Sequence, residues 1–244
     1  MAANRRLALM IDGDNAEAKL LPQVLAEVSR YGIMTIRRVY GDWTTTQLKG
    51  WKEILHTYAL KPEQQFSYTT GKNSTDSALI IDAMDIIYTA GVDGICIVSR
   101  DSDYTRLATR IREKNLFVMG IGRKLTPRSF VNACDIFVYT ENLPPVTEDE
   151  EMPPSKSKSK SKTGDGKQRS LKQLFLTAFD SVVQEDGWAH LGGLGSSLRQ
   201  LDPGFDPRTY GHKLLSQLVE ATPYFETRKQ SKGIYVRLKQ NGKS

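Results

Sequence analysis

Cysteine is nearly missing: the 244 residues hold two, Cys96 and Cys134, both inside apolar, strand-like runs. That leaves no disulfide framework, and a reducing cytoplasm is the expected setting. Histidine is almost as scarce. His56, His190 and His212 are scattered without zinc-ligand spacing, so a His/Cys metal site is not expected. Long hydrophobic runs are missing too. The opening MAANRRLALMIDGDN has an apolar stretch of five residues that runs into acids, shorter than a signal peptide or membrane span needs. No membrane role is expected. Nor does the sequence carry a Gly-rich phosphate loop, a Cys–His pair or a Ser/His/Asp signature.

What is present is ordinary globular material. Hydrophobic residues make up 39% and charged residues 25%, enough apolar matter to build real cores. The length suits one domain of about 140 residues and a smaller second one. The net charge of +6 is unevenly spread. Residues 1–143 carry 18 basic and 16 acidic side chains, and residues 144–168 carry 5 of each. Residues 169–244 carry 11 basic against 7 acidic, a small basic module that suggests a polyanionic partner.

The stretch Pro144 to Lys167 has no apolar periodicity and is dominated by Pro, Ser and charge. It reads as a flexible linker, and its SKSKSKSK run as a solvated tether with at most a loose attraction for phosphates. Before it, β-type runs alternate with amphipathic patterns. Strands are expected at Leu7–Asp12, Ile33–Tyr40, Phe66–Thr69, Gly94–Ser99, Leu116–Ile121 and Ile136–Tyr139. Helices are expected at Ala16–Tyr31, Thr45–Ala59, Ser74–Ala90, Ser102–Lys114 and Pro127–Asn132. Near-continuous apolar strands alternating with helices indicate a three-layer α/β fold around a parallel sheet. After the linker come a helical stripe over Leu171–Val183, a short helix at Leu191–Leu201, and a third stripe through Tyr210, Leu214, Leu215, Leu218 and Val219. Two strands, PYFETR and GIYVRLK, follow around a turn at Lys229–Lys232, which together describes a winged helix.

In open parallel sheets, ligands bind at the carboxyl ends of strands where the strand order reverses. Asp12 ends the first strand and Asp101 follows the fourth. With strand order 3-2-1-4-5 those two strands are neighbours about 4.8 Å apart, so the two acids face one groove. Asp76 opens the helix whose buried stripe is Leu79, Ile80, Ala83, Met84 and Ile87, and its first turn lies on the same edge. Asp82 and Asp85 sit about 120° and 180° round that helix and read as solvated. Crowded carboxylates repel unless a cation joins them, and hard oxygen ligands suit Mg²⁺ or Mn²⁺. Such an ion can activate water and orient a phosphate. Each acid also has a plain structural reading. Asp12 can form a strand-end turn, Asp76 and Asp103 can be first-turn acids favoured by the helix dipole, and Asp14 reads as turn chemistry. Asn15 either positions a ligand or caps the next helix, and Asp103 is a candidate for a second ion.

The motifs IDGDN, VYGDW (Val39–Trp43), KNSTD with Asp76, SRDSDY and ACDIFVYTENL together resemble the NYN family of PIN-like ribonucleases, more narrowly its bacterial LabA-like branch, over residues 5–143. The resemblance implies a PIN-like sheet and Mg²⁺- or Mn²⁺-dependent hydrolysis of RNA phosphodiesters. It implies Asp12, Asp76 and Asp101 as catalytic metal ligands, with Asn15 and Asp103 in support. The sequence departs from the family at Arg100, where a small residue is usual, and in KNSTD, where a glycine commonly precedes the acid. Arg100 is placed either to contact phosphate or to pair with an acid. The tail from about residue 169 to 240 is similar to a LOTUS (OST-HTH) domain, a winged-helix-like module implicated in binding RNA or, in some branches, protein. Arg199, Arg208, Lys213, Arg228, Lys229, Lys232, Arg237 and Lys239 offer phosphates something to meet. Tyr210, Tyr224 and Tyr235 suit packing as well as base stacking.

The expected organisation is therefore a nuclease domain at 1–143, a linker at 144–168 and a LOTUS winged helix at 169–244. The expected function is a metal-dependent endoribonuclease with an RNA-binding module. The alternative is a non-catalytic RNA-binding adaptor with a vestigial acidic site. A phosphatase of the haloacid dehalogenase type is weaker, since IDGDN lacks the Thr or Val that chemistry wants nearby.

Overall fold

The first strand sets the layout. β1 (Arg6–Asp12) alternates its side chains between two apolar faces, as strand geometry requires. Leu7, Leu9 and Ile11 join one core and Ala8 and Met10 the other. Asp12 continues the second set, so its carboxylate is delivered to the face that also holds Leu79 and Tyr104.

The computed structural model describes residues 5–66, 74–144, 171–231 and 233–239. All of the expected linker except Pro144 lies outside the described residues, as do Lys232 and positions 67–69 of the strand expected at Phe66–Thr69. By contact the chain divides into two units, Met1–Leu143 with Asp202–Leu214, and Pro144–Leu201 with Leu215–Ser244.

In the first unit, β1 is followed by α1 (Leu21–Ser29), β2 (Ile33–Gly41), α2 (Lys49–Ile54), β3 (Lys61–Gln64) and α3 (Ser74–Thr89). Then come β4 (Gly94–Val98), α4 (Thr105–Glu113), β5 (Phe117–Gly122), α5 (Arg128–Ala133) and β6 (Ile136–Tyr139). The six strands form one sheet in the order β3-β2-β1-β4-β5-β6, with parallel pairing throughout. This is the α/β architecture of a PIN-like fold, with cores on both faces of the sheet. The order reverses between β1 and β4, where Ile11 pairs with Val98. That reversal leaves a crevice above the carboxyl ends of these two strands.

Three expectations need correction. The third strand is not the β-prone FSYT but the preceding Lys61–Gln64, which pairs with Arg38–Gly41 at the sheet edge. Pro62 is tolerated there because an edge strand can spare an N–H donor. The helix expected at Thr45–Ala59 shortens to Lys49–Ile54, and 3-10 turns at Ala18–Leu20 and Ser102–Tyr104 precede α1 and α4. Asp82 does not read as a solvated acid. It pairs with Arg38 and accepts from the Tyr40 hydroxyl, both reaching it from β2. Asp85 is exposed as expected.

The second unit contains α6 (Leu171–Asp180), β7 (Ala189–His190), α7 (Leu191–Leu201), α8 (Leu215–Ala221), β8 (Phe225–Gln230) and β9 (Gly233–Leu238). Its antiparallel sheet runs β7-β9-β8. Phe175, Phe179 and Phe225 meet in the core at ring separations of 5.4–5.7 Å. β7 is an addition to the expected hairpin. Lys229 belongs to β8, opposite Ile234, rather than to the turn. α8 begins at Leu215. Tyr210 ends a separate 3-10 turn that Gly211 terminates at φ +82°, and both Tyr210 and Leu214 are exposed.

Candidate metal centre

Asp12 sits at the end of β1, fully buried. Gly13 follows it because the chain must turn against β2. A Cβ there would lie 2.8 Å from the Tyr40 carbonyl oxygen, which accepts the Gly13 N–H. The turn brings the Asp14 and Asn15 N–H groups onto Asp12 Oδ1, each at 3.2 Å. Oδ2 accepts from Asn15 Nδ2 and from Ser99 Oγ, both at 2.8 Å. Burial pushes the Asp12 carboxyl up from the ordinary range, and the Asn15 and Ser99 hydrogen bonds oppose that rise.

Asp76 arrives from the first turn of α3 and is also buried. Its Oδ1 accepts a 2.6 Å hydrogen bond from the Tyr104 hydroxyl. The same hydroxyl lies 3.4 Å from Asp12 Oδ2, so one phenol links the two acids. Burial first, then the charges of Asp12, Asp101 and Asp103, push Asp76 up to about 6, with the Tyr104 bond pulling the other way.

Asp101 follows β4 and caps the 3-10 turn by accepting the Asp103 N–H at 2.9 Å, while its own N–H donates to Ser99 Oγ at 3.1 Å. Asp76, Asp101 and Asp103 each offer a carboxylate oxygen, and these oxygens all lie within 4.8 Å of one another. The trio grades from buried Asp76 through half-buried Asp101 to exposed Asp103.

The structure therefore places the expected residues with one shift of emphasis. The mutually close trio contains Asp103 rather than Asp12. Asp12 stands behind it, tied in through Tyr104 and Ser99. Asn15 does not cap α1, whose cap position is Leu20; its N–H and Nδ2 both donate to Asp12. Arg100 is exposed and donates from Nε to Asn15 Oδ1 at 3.1 Å. Asp14 accepts from Thr75 Oγ1 at 3.0 Å, which fastens the IDGDN turn to α3. Ser99 and Tyr104 were missed as site residues, although both stand in the stretch VSRDSDY. A serine and a tyrosine beside acids carry no charge signal, and only the fold shows what their hydroxyls reach.

The donor set suits a divalent cation. Three carboxylate oxygens at this spacing form the hard-oxygen pocket that Mg²⁺ or Mn²⁺ prefers. Among the described residues no lysine or arginine forms an ion pair with Asp12, Asp76 or Asp101.

The basic residues expected to meet RNA are unevenly available. Arg199 and Lys229 are exposed on the second unit, and Lys213 is exposed on the first. Arg228 and Arg237 lie over the Trp188 ring at 4.2 and 4.6 Å, and Arg237 also pairs with Glu226. Arg208 belongs by contact to the first unit, where Asp206 and the buried Glu27 occupy its guanidinium. Tyr224 packs on Phe175 and Phe225, and Tyr235 stands edge-on to His190.

Comparison with known proteins adds three findings. The NYN domain profile matches residues 6–142, and the OST-HTH/LOTUS domain profile matches residues 166–237. No curated protein matches the chain. Among solved structures, the chain is similar to a protein of unknown function, VPA0982, from Vibrio parahaemolyticus RIMD 2210633 at 19% identity and a TM-score of 0.47, covering 56% of this chain and 93% of that one. A solution structure of residues 175–257 of a Chromobacterium violaceum protein is 33% identical with a TM-score of 0.27, over 32% of this chain and 88% of that one. An uncharacterized Nitrosomonas europaea protein from gene locus NE0665 is 31% identical with a TM-score of 0.28, over 39% and 97%. With more than half its length matched, the chain belongs to the NYN domain family, a nuclease-type family, and carries an OST-HTH/LOTUS domain of the kind that implies RNA binding, at its C-terminal end.

Proposed function

We propose that the chain is a metal-dependent endoribonuclease that hydrolyses RNA phosphodiester bonds, with its LOTUS domain holding the substrate. The observation that carries the reading is the convergence of Asp76, Asp101 and Asp103 within 4.8 Å at the switch point of the sheet. In this reading those three hold Mg²⁺ or Mn²⁺, and Asp12, Ser99, Asn15 and Tyr104 fix the ligand geometry from behind. A bound ion would lower the pKa of a coordinated water and offset the charge gathering on the phosphate. Tyr104 keeps Asp76 aimed at the site, and its hydrogen bond favours the ionised carboxylate that an ion requires.

Arg100, outside the acidic trio and exposed, is suited to a phosphate flanking the scissile one. We place the protein in the cytoplasm, in keeping with its two free, buried cysteines.

The test is incubation of the full chain with end-labelled single-stranded and structured RNA in Mn²⁺ or in EDTA. Cleavage in Mn²⁺ that disappears in EDTA and in Asp76→Asn supports the reading. Undiminished cleavage by Asp76→Asn removes it. One observation favours a second reading, a non-catalytic RNA-binding adaptor: Asp12 is satisfied by four protein hydrogen bonds of 3.2 Å or less, as a structural acid would be. RNA binding without any Mn²⁺-dependent product would establish that alternative.

A further inference from the structure

The antiparallel sheet of the second unit has a buried face and an outer face, and strand register decides which residues share each. Ala189 stands opposite Val236, and both are buried with Phe225 on the inner side. His190, Tyr235 and Arg228 form one row across β7, β9 and β8 on the outer side. Two residues further along, Arg237 and Glu226 face each other in the next row. Trp188, just before β7, completes that row, and both arginines lie over its ring. The two arginines are held differently. Arg237 pairs with Glu226 at 2.6 Å, so those two charges balance. Arg228 has no carboxylate partner among the described residues. Its guanidinium sits 4.2 Å from the Trp188 ring centroid. With the Gln230 amide turned to present its oxygen, Arg228 Nε and Nη2 donate to it at 2.9 and 2.7 Å. An exposed cation is thereby fixed in one pose above an indole that is only 8% exposed.

We propose that this outer sheet face is where the LOTUS domain holds RNA, by stacking an unpaired base on the Arg228 guanidinium. In this arrangement Tyr235 and His190 flank the base, and Arg228 Nη1 meets an adjoining phosphate. The ligand class rests on the RNA-holding role proposed above; the platform rests on strand register and ring contacts alone. A guanidinium laid on an aromatic ring can stack a base on its other side and still turn an N–H edge to phosphate. Trp188 and Gln230 fix that side chain in advance, so less rotamer entropy is lost on binding. His190 Nδ1 accepts the Gly192 N–H at 3.1 Å, which leaves Nε2 as the donor of the neutral ring. Paired RNA keeps its bases inside the helix and would make no use of these rings. An acidic peptide would need several unbalanced cations, and these two rows hold one, Arg228. Stacking on a planar cation discriminates little between bases, so the surface should accept many sequences.

The experiment titrates the full chain, in EDTA to prevent cleavage, with a labelled oligouridylate and with an abasic ribose-phosphate strand of equal length. Fluorescence anisotropy reads the binding, and an oligoglutamate peptide serves as competitor. The oligouridylate should bind about tenfold or more tightly than the abasic strand. Arg228→Lys keeps the charge and removes the plane. It should reduce that advantage to about a third or less and leave the abasic strand within about twofold. Tyr235→Leu should act in the same direction, and urea unfolding shows that each variant is folded. Equal binding of the two strands, or displacement of the RNA by oligoglutamate at equal charge, overturns the proposal. So does an unchanged base advantage in both folded variants, although the RNA-holding role would then survive on another surface. Failure of the nuclease reading looks different: no Mn²⁺-dependent cleavage, with the base advantage and its loss in Arg228→Lys intact.

Discussion

The Tyr104 hydroxyl stands between two buried acids, donating to Asp76 at 2.6 Å and lying 3.4 Å from Asp12. Burial and the two carboxylates hold its own pKa well above the usual phenol range, so it stays protonated and can only lend its hydrogen. Tyr104→Phe keeps the ring and removes that donor. Asp76 then loses the bond that favours its ionised form, and its titration moves upward. The variant should lose about 1 kcal/mol of stability. Its pH profile for Mn²⁺ binding should shift toward alkaline values, read by calorimetry between pH 5.5 and 8. An unshifted profile contradicts a positioning role.

Asp76 makes the apo protein sensitive to pH in a definite direction. Its folded pKa, about 6, is above the ordinary 3.8, so the native state binds the proton more tightly than the unfolded chain does. The cost of the ionised acid is fully present above pH 6, fades as pH falls toward 4, and amounts to at most roughly 3 kcal/mol. Asp76→Asn should therefore be more stable than wild type at pH 7.5 in EDTA, with the advantage gone near pH 4. Urea unfolding at both pH values checks this. A constant difference, or the opposite sign, would show that Asp76 does not carry the strain.

Metal should reverse that cost. An ion that binds only the native site stabilises by about 2.7 kcal/mol at a hundred times its dissociation constant. Thermal unfolding of the wild-type chain should move upward in Mn²⁺ and return in EDTA. Asp101→Asn should lose most of the rise. A rise of equal size in that variant would place the ion elsewhere.

The placement of Asp12 and Asp76 is legible in the sequence, and the reason is periodic; that Asp103 rather than Asp12 completes the close trio is not. β1 alternates, so Asp12 had to share a face with Ala8 and Met10. The stripe from Leu79 to Ile87 fixed which way Asp76 looked. What stayed hidden depended on neighbours from distant segments. Asp82 reads as solvated from its helix alone, because nothing in α3 announces that Arg38 and Tyr40 reach across from β2. Composition points to FSYT as the third strand because of its stronger β-propensity, whereas Lys61–Gln64 is chosen by pairing with β2 at an edge. Lys229 lies in β8 opposite Ile234 rather than in the turn, since hairpin register depends on the partner strand.

Asp82 offers a control for the site. Asp82→Asn removes the charge shared with Arg38 and leaves one acceptor oxygen for Arg38 and the Tyr40 hydroxyl to share, and should destabilise by about 1–3 kcal/mol in urea. It lies outside the acidic trio, so Mn²⁺ affinity should remain unchanged. A tenfold loss of affinity would show that the cluster extends further along α3 than argued.

Arg100 answers to salt. If it meets a phosphate, Arg100→Ala weakens RNA binding and lowers the slope of log affinity against log salt by about 0.7 for a single strand. Filter binding across a salt series checks this. An unchanged slope leaves Arg100 as a partner of Asn15 only.

The account stands on one ion shared by Asp76 and Asp101, with Asp103 beside them and Asp12 behind. Anomalous diffraction at the manganese edge, from crystals of the full chain grown with Mn²⁺, locates that ion directly. The expected result is a peak about 2.0–2.3 Å from carboxylate oxygens of Asp76 and Asp101. A peak elsewhere, or none at saturating Mn²⁺, would contradict it.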